Sequence, residues 1–384
     1  MSLERAIKKV AEYLGLEEQV IKDLVNRRVL RYIEYKDLPY IVFRREWKGF
    51  REGTVIIIGS TTIKVIHGYP NIQRILLLKA VQRHFIDQVI VEEKMDGYNV
   101  RVVFFEDRIL AITRGGYICP YTTARLKHMY EEEFKKIFKR YDEDLVLCGE
   151  VVGEENPYVQ HYYPEAPYFD YFVFDIMRGK SFVKIKERDN IINNTKVKLV
   201  RRLGVIGKDD LNTLQHIVRR LERDCREGIV LKDPEHRVKP LKYTTTCTHL
   251  NDLELGMKYP FDEGRSFLFS RILREIWKIY EEGIDEKELA ERAKALGLAI
   301  LKPALESINR LREDKAIYEE YTIRVPDIRV LDDFIEYMDK LGVNIALAQV
   351  TPLPDGQVKA RIIKMKNTDI EFRRILRTGY SPID

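Results

Sequence analysis

The stretch that most restricts what this chain can fold into is Glu92-Glu93-Lys94-Met95-Asp96-Gly97-Tyr98-Asn99. On either side of it, Gln88 to Glu92 and Val100 to Phe105 are rich in β-branched and apolar residues and alternate as two strands do. Asp96-Gly97 reads as the turn between them, since both residues tolerate the backbone angles of a reversal. Lys94 is thereby presented at the mouth of a sheet. Lys-x-Asp-Gly on its own also fits a solvated turn lysine, so its meaning rests on the motifs further along the chain.

A length of 384 residues accommodates about two to four domains with cores of their own. With 66 Lys+Arg against 61 Asp+Glu the net charge is only +5, so any polyanion must be held by a local patch. Dense Lys, Arg and Glu with few cysteines suits a thermophile. The four cysteines contain no Cys-x-x-Cys pair and the seven histidines do not cluster near them, which argues against a zinc site. Cys148 and Cys225 sit in apolar sequence and read as buried thiols. The N-terminus opens an amphipathic helix and not a signal peptide, and no apolar run reaches membrane length, so the expected compartment is the cytoplasm.

Residues 1–66 read as an N-terminal α+β module: helical spacing at Leu3, Ile7, Val10 and Leu14, then strands at Tyr40 to Arg44, Thr54 to Ile58 and Thr61 to Ile66. Residues 67–246 form the longest mixed segment. Its strands are expected at Val89 to Glu93, Val100 to Phe105, Ile109 to Thr113, Leu145 to Val152 and Phe172 to Asp175, and its helices at Thr122 to Arg140 and Asp209 to Arg226. Residues 247–322 turn helical, with one stripe through Phe269, Ile272, Leu273, Ile276 and Tyr280, a second helix from Asp285 to Gly297, and a third from about Pro303 to Tyr321. Helices so few leave a small core, so a homodimer through this segment is expected. Residues 323–384 read as a compact α/β end domain, with a helix at Leu331 to Leu341 and strands at Ile345 to Thr351 and Val358 to Met365.

After Lys94 come, in order, Thr113-Arg114-Gly115-Gly116, Cys148-Gly149-Glu150-Val151, Tyr171-Phe172-Val173-Phe174-Asp175, Glu227-Gly228-Ile229-Val230-Leu231-Lys232 and Val238-Lys239-Pro240-Leu241-Lys242. Each fragment is common, but their joint order is not. It resembles the covalent nucleotidyltransferase superfamily of polynucleotide ligases and capping enzymes, and the helical extension resembles its archaeal ATP-dependent RNA ligases. The resemblance implies an α+β multidomain fold around a central nucleotidyltransferase (ATP-grasp-like ligase) domain of antiparallel sheets with helices. It also implies a three-step reaction. A lysine attacks the α-phosphate of ATP, AMP moves to a 5′-phosphate end of RNA, and a 3′-hydroxyl displaces AMP, joining two strands or circularising one.

Carried onto this sequence, the resemblance makes Lys94 the nucleophile. Such a lysine needs neighbours that disfavour its charge, and Lys239, Lys242 and a divalent ion are the expected ones. Lys242 would hold the α-phosphate, and Glu227 the metal, with Glu150 contacting the ribose and serving as a second metal candidate. Phe174 would be the plate on which adenine stacks, and Glu92 the reader of its amino group; adjacent Glu93 is also a candidate nucleotide contact, although it should point to the opposite face of a regular strand. Asn99 would position metal-bound water, and Arg114 would approach ribose or phosphates. The implied cofactors are ATP and Mg2+, with Mn2+ as a substitute, and the implied partner is RNA with 5′-phosphate and 3′-hydroxyl ends or single-stranded DNA. The family's usual Lys-x-Lys is interrupted here, with Pro240 and Leu241 separating Lys239 from Lys242. The alternatives are an ATP-dependent DNA ligase, a GTP-using capping enzyme, and a non-catalytic RNA-binding scaffold.

Overall fold

The computed structural model describes residues 1–382. The N-terminal module is a four-stranded antiparallel sheet, Leu30–Tyr35, Leu38–Phe43, Val55–Ile58 and Ile63–Ile66, under helices Leu3–Leu14 and Glu18–Asn26. The runs Leu38–Phe43 and Val55–Ile58 are apolar without alternation because both faces of this sheet are covered. Ile41, Phe43, Ile56 and Ile58 pack on the helices, while Tyr40, Val42, Val55 and Ile57 pack on Val103, Phe105, Ile112 and Met177 of the next sheet. Each such side chain contributes about 1.5–3 kcal/mol. The module is thus fixed to the sheet beside the site.

Two sheets form the centre. One, six-stranded, contains Tyr98–Phe105, Arg108–Thr113, Leu145–Val152 and Asp170–Arg178; the other, five-stranded, has the order Arg202–Gly207, Gln88–Lys94, Gly228–Lys232, Leu241–Thr244, Gln73–Arg74. The strands flanking the Lys94 turn therefore do not pair with each other. The chain leaves one sheet at Lys94 and enters the other at Tyr98. Gly97 makes the crossing, since a Cβ there would lie 2.1 Å from the Val151 carbonyl oxygen. Lys94 consequently stands at the junction of two sheets, where a cleft can open between them.

The helical segment departs from expectation. Asp285 does cap a helix, its side chain accepting from the Glu288 amide, but that helix runs unbroken as Glu286–Arg312 through Gly297 and Pro303. Ala299, Ser307 and Leu311 are buried on both sides of the proline, and the Ser307 hydroxyl donates to the Lys258 carbonyl at 3.0 Å, so tertiary contacts hold both halves in line. Tyr318–Val325 is not helical at all: it is a strand paired antiparallel with Val358–Met365, a partner about 40 residues on that no local pattern reveals. Cys225 is likewise no buried thiol. It is exposed and disulfide-linked to Cys247, because the turn after helix Leu211–Arg223 and the start of helix Thr246–Lys258 bring the two Cα atoms to 5.5 Å.

Helix Arg265–Glu282 turns its polar side inward. Glu275 and Lys278 are buried against His249, Arg292 and Glu222, whereas Phe269, Ile276 and Tyr280 are 64%, 52% and 66% exposed. Leu298, Leu301 and Leu305 on the following helix are exposed as well. At the C-terminal end, helix Ile328–Lys340 packs Leu331, Phe334 and Met338 into the same core as Tyr121 and Phe134 of helix Pro120–Arg140. No helix among the described residues is long and apolar enough to cross a membrane.

Candidate active site

Between the two central sheets lies a cavity of about 540 Å³. Its floor is one face of the five-stranded sheet. Strand register sets Lys94 opposite Gly228, and Glu92 opposite Val230, which in turn faces Lys242. Side chains directly paired, or two apart on a strand, share a face, so Glu92, Lys94, Lys232 and Lys242 all point into the cavity. Gly228 keeps the approach clear: its φ is 152°, and a Cβ would lie 2.2 Å from the Tyr243 carbonyl oxygen. Glu227, just before it, accepts from Lys94 Nζ at 2.6 Å.

The charges of this floor differ from expectation. Burial pulls the Lys94 amine down, but Glu227 and Glu150 outweigh it and leave the amine held above its ordinary value. Lys94 is therefore an ammonium in this state. Lys239 does not act on it: the side chain is exposed in a separate groove, because Pro240 and Leu241 displace it from the Lys242 position. Lys242 is in place, but burial and the cations Arg74, Lys94 and Arg114 push its own value down to about 8. Burial in turn pushes Glu150 up to about 8 and Glu227 to about 7, partly offset by Lys94. Two carboxylates thus face one amine where their negative charge is penalised.

A β-bulge between Val173 and Asp175 builds the next wall. It turns Phe174 out of the core that its neighbours occupy, half-exposing it into the cavity. Its freed carbonyl accepts from Lys232 Nζ at 2.6 Å and from Arg188. The Tyr69 ring meets Phe174 edge-on at 5.2 Å, and its hydroxyl donates to Asp175 Oδ2 at 2.6 Å. Glu92 lies within this frame, with Arg188 Nη2 donating to Oε1 at 2.6 Å and Lys232 Nζ 2.9 Å from Oε2. Burial would raise the Glu92 carboxyl, but Lys232 and Arg188 prevail and hold it at about 2. Both Glu92 oxygens are thus held by a cation, Oε1 by Arg188 and Oε2 by Lys232.

From the six-stranded sheet, Asn99 and Glu150 pair across neighbouring strands and both line the cavity. Asn99 Oδ1 is buried without a hydrogen-bond partner. Arg114 stands at the rim, donating to Asn71. Glu93 borders the cavity too, but its carboxylate is engaged by Arg201 at 2.9 Å and Arg226 at 3.3 Å. Tyr158 also lines the cavity, and Tyr163 is buried with its hydroxyl accepting from the Asp96 amide at 2.7 Å.

Several residues were not singled out by sequence reasoning. Lys232 and Asp175 each close an apolar strand pattern with a charge, a signal that was available in Ile229-Val230-Leu231-Lys232 and Phe172-Val173-Phe174-Asp175. Arg188 lies on helix Ile185–Ile192 and had no such signal. Tyr337 and Leu341, from the C-terminal end, complete the cavity wall. No group of three or more His, Cys, Asp or Glu poised for a metal occurs among the described residues.

Comparisons with known proteins bear on this geometry. The RNA ligase family model matches residues 87–244, and that of the Ligase Pab1020 C-terminal region matches residues 255–379. An uncharacterized protein of Methanocaldococcus jannaschii is 35% identical over 372 residues, covering 94% of this chain and 93% of its own. Among solved structures, one described as an archaeal ATP-dependent RNA ligase (form 2) is 35% identical with a TM-score of 0.90, covering 98% of this chain and 99% of that one. Another, a putative ATP-dependent DNA ligase from Aquifex aeolicus, is 27% identical with a TM-score of 0.86, covering 95% of this chain and 100% of that one.

Proposed function

Since the chain belongs to the archaeal ATP-dependent RNA ligase family, we propose that it seals RNA ends through a lysyl-AMP formed on Lys94. In the first step Lys94 Nζ bonds to the α-phosphorus of ATP as the bond to pyrophosphate breaks. The amine must first lose a proton. Glu227, 2.6 Å away and held near 7 by burial, is a much better proton acceptor than an ordinary carboxylate. An oxygen of an RNA 5′-phosphate then takes the AMP, breaking the nitrogen–phosphorus bond. Finally the 3′-hydroxyl attacks that 5′-phosphorus and AMP leaves; where both ends belong to one RNA, the product is a circle.

Lys242, protonated, offsets charge on the attacked phosphate, and Arg114 meets the phosphates or ribose at the rim. Phe174 stacks the base. Glu92 selects adenine: a carboxylate held ionised on the cavity floor attracts the adenine amino group and repels the carbonyl that guanine carries there. Glu150 and Glu227 are hard donors whose charge burial penalises, and Asn99 Oδ1 is unpartnered nearby, so this donor set fits Mg2+ or Mn2+ that keeps most of its waters. When bound, the ion would supply charge neutralisation for the phosphates. The domain division 1–66, 67–246, 247–322 and 323–384 goes with this reading, with the last boundary moved ahead of strand Tyr318–Val325, as does a homodimer that covers the apolar faces of helices Arg265–Glu282 and Glu286–Arg312.

The observation that carries the reading is the meeting of Lys94, Lys242 and Phe174 in one cavity of about 540 Å³, with Glu227 accepting from Lys94 at its wall. Incubation with labelled ATP or GTP, followed by a denaturing gel, tests it: label from ATP stays on the protein, and label from GTP alone would refute it.

A further inference from the structure

Beside the nucleotide cavity lies a second, larger groove of about 850 Å³, sharing Tyr69, Arg114 and Gly115 with it. Four loops converge there, carrying Arg51 from the N-terminal module, Arg114, Lys180 from the Gly179-Lys180 turn, and Lys239. Among the described residues no carboxylate pairs with any of these four, although Lys and Arg elsewhere in the chain are extensively paired. Two other charges of the groove are already spoken for, Arg237 by Asp233 at 2.7 Å and Glu235 by Lys184. The acids that remain, Glu46 and Glu52, are exposed, whereas Arg51 is half-buried. Lys180 Nζ lies 5.4 Å from the Phe50 ring centre, where part of its water is displaced. Neighbouring His67 registers the uncompensated field: burial, then Lys180, Arg51 and Arg101, push it down to about 4.

We infer that this groove is a phosphate-chain site, holding the pyrophosphate end of ATP in the first step and the 5′-phosphate end of RNA in the second. The inference rests on the lysyl-AMP reading for its order of events. In-line displacement at phosphorus places attacking and leaving groups on opposite sides. Pyrophosphate therefore departs from the side facing away from Lys94, and the RNA phosphate must arrive on that same side. One set of cations serves both, because both ligands are phosphate oxygens on a chain leading out of the cavity. Lys239 acquires a role here in place of the one its displacement from the Lys-x-Lys spacing removed.

The test uses the full chain, stripped of AMP, with Arg51→Ala, Lys180→Ala and Lys239→Ala as separate variants. Binding is measured for inorganic pyrophosphate with Mg2+, for a 5′-phosphorylated oligoribonucleotide, for the same oligoribonucleotide with a 5′-hydroxyl, and for AMP. Loss of a charge-assisted contact should weaken pyrophosphate and the 5′-phosphorylated strand by about tenfold or more, with the strand's salt dependence flattening by about 0.7 in log–log slope per cation removed. AMP, which has no chain, should bind as before. Values within twofold of wild type for both ligands would overturn the site, and weakening of only one would overturn its sharing. Binding of pyrophosphate needs no adduct on Lys94. A wild-type protein that never acquires AMP, yet shows the pyrophosphate contrast, would sink the reaction scheme and leave the groove standing.

Discussion

Replacing Glu92 by Gln removes the anion on which two buried cations converge. Arg188 and Lys232 lie 2.6 and 2.9 Å from its oxygens, and all three side chains are at most 2% exposed. Holding this carboxyl at about 2 against its usual 4.5 corresponds to about 3 kcal/mol in favour of the anion. That agrees with the ~3–5 kcal/mol typical of breaking a buried pair by removing one partner. Asp175 stays 2.9 Å from Lys232, so the lower end of that range applies. In native-state hydrogen exchange, the amides of Gln88–Lys94 and Gly228–Lys232 should exchange about a hundredfold faster in Glu92→Gln at neutral pH. The sign with pH follows from the lowered value. The contribution is complete above the ordinary 4.5 and fades as pH falls towards about 2, so the two proteins should converge in acid. Acceleration below threefold at neutral pH, or a gap that widens in acid, would refute the argument.

Phe174→Ala should raise the KM for ATP by about 5- to 150-fold, from a stacking contribution of about 1–3 kcal/mol, while Phe174→Tyr restores it; steady-state adenylation separates the two. Lys242 holds phosphate only while protonated, so adenylation should decline above pH about 8, and Lys242→Arg should shift that decline to higher pH. Substituting Phe269 and Tyr280 by Glu should convert a dimer into a monomer in light scattering without loss of secondary structure, since both side chains are exposed in the single chain.

What was legible in the sequence was local. Lys94, Glu227, Phe174 and Lys242 each sit in a short pattern whose residues act on one another within a few positions; Lys94, Phe174 and Lys242 line the cavity, and Glu227 bonds to the Lys94 amine. The strand period alone separated Glu92 from Glu93, and the two carboxylates do meet different partners. What failed was long-range. Whether Lys94 and Tyr98 lay in one sheet or two depended on the approach of Gly97 to Val151, more than fifty residues away. Tyr318–Val325 is a strand only because Val358–Met365 is there to pair with it. The basic neighbours expected to disfavour the Lys94 charge are outweighed by Glu227 and Glu150, which hold the amine above its ordinary value; the motifs placed these carboxylates in the site but not their balance against burial.

The most direct test of the central claim is the intact mass of the protein after exposure to ATP and Mg2+, with the modified peptide mapped by digestion. The account predicts a gain of one AMP located on Lys94 and no gain in Lys94→Ala. AMP on another residue, or an unchanged adduct in Lys94→Ala, would contradict it.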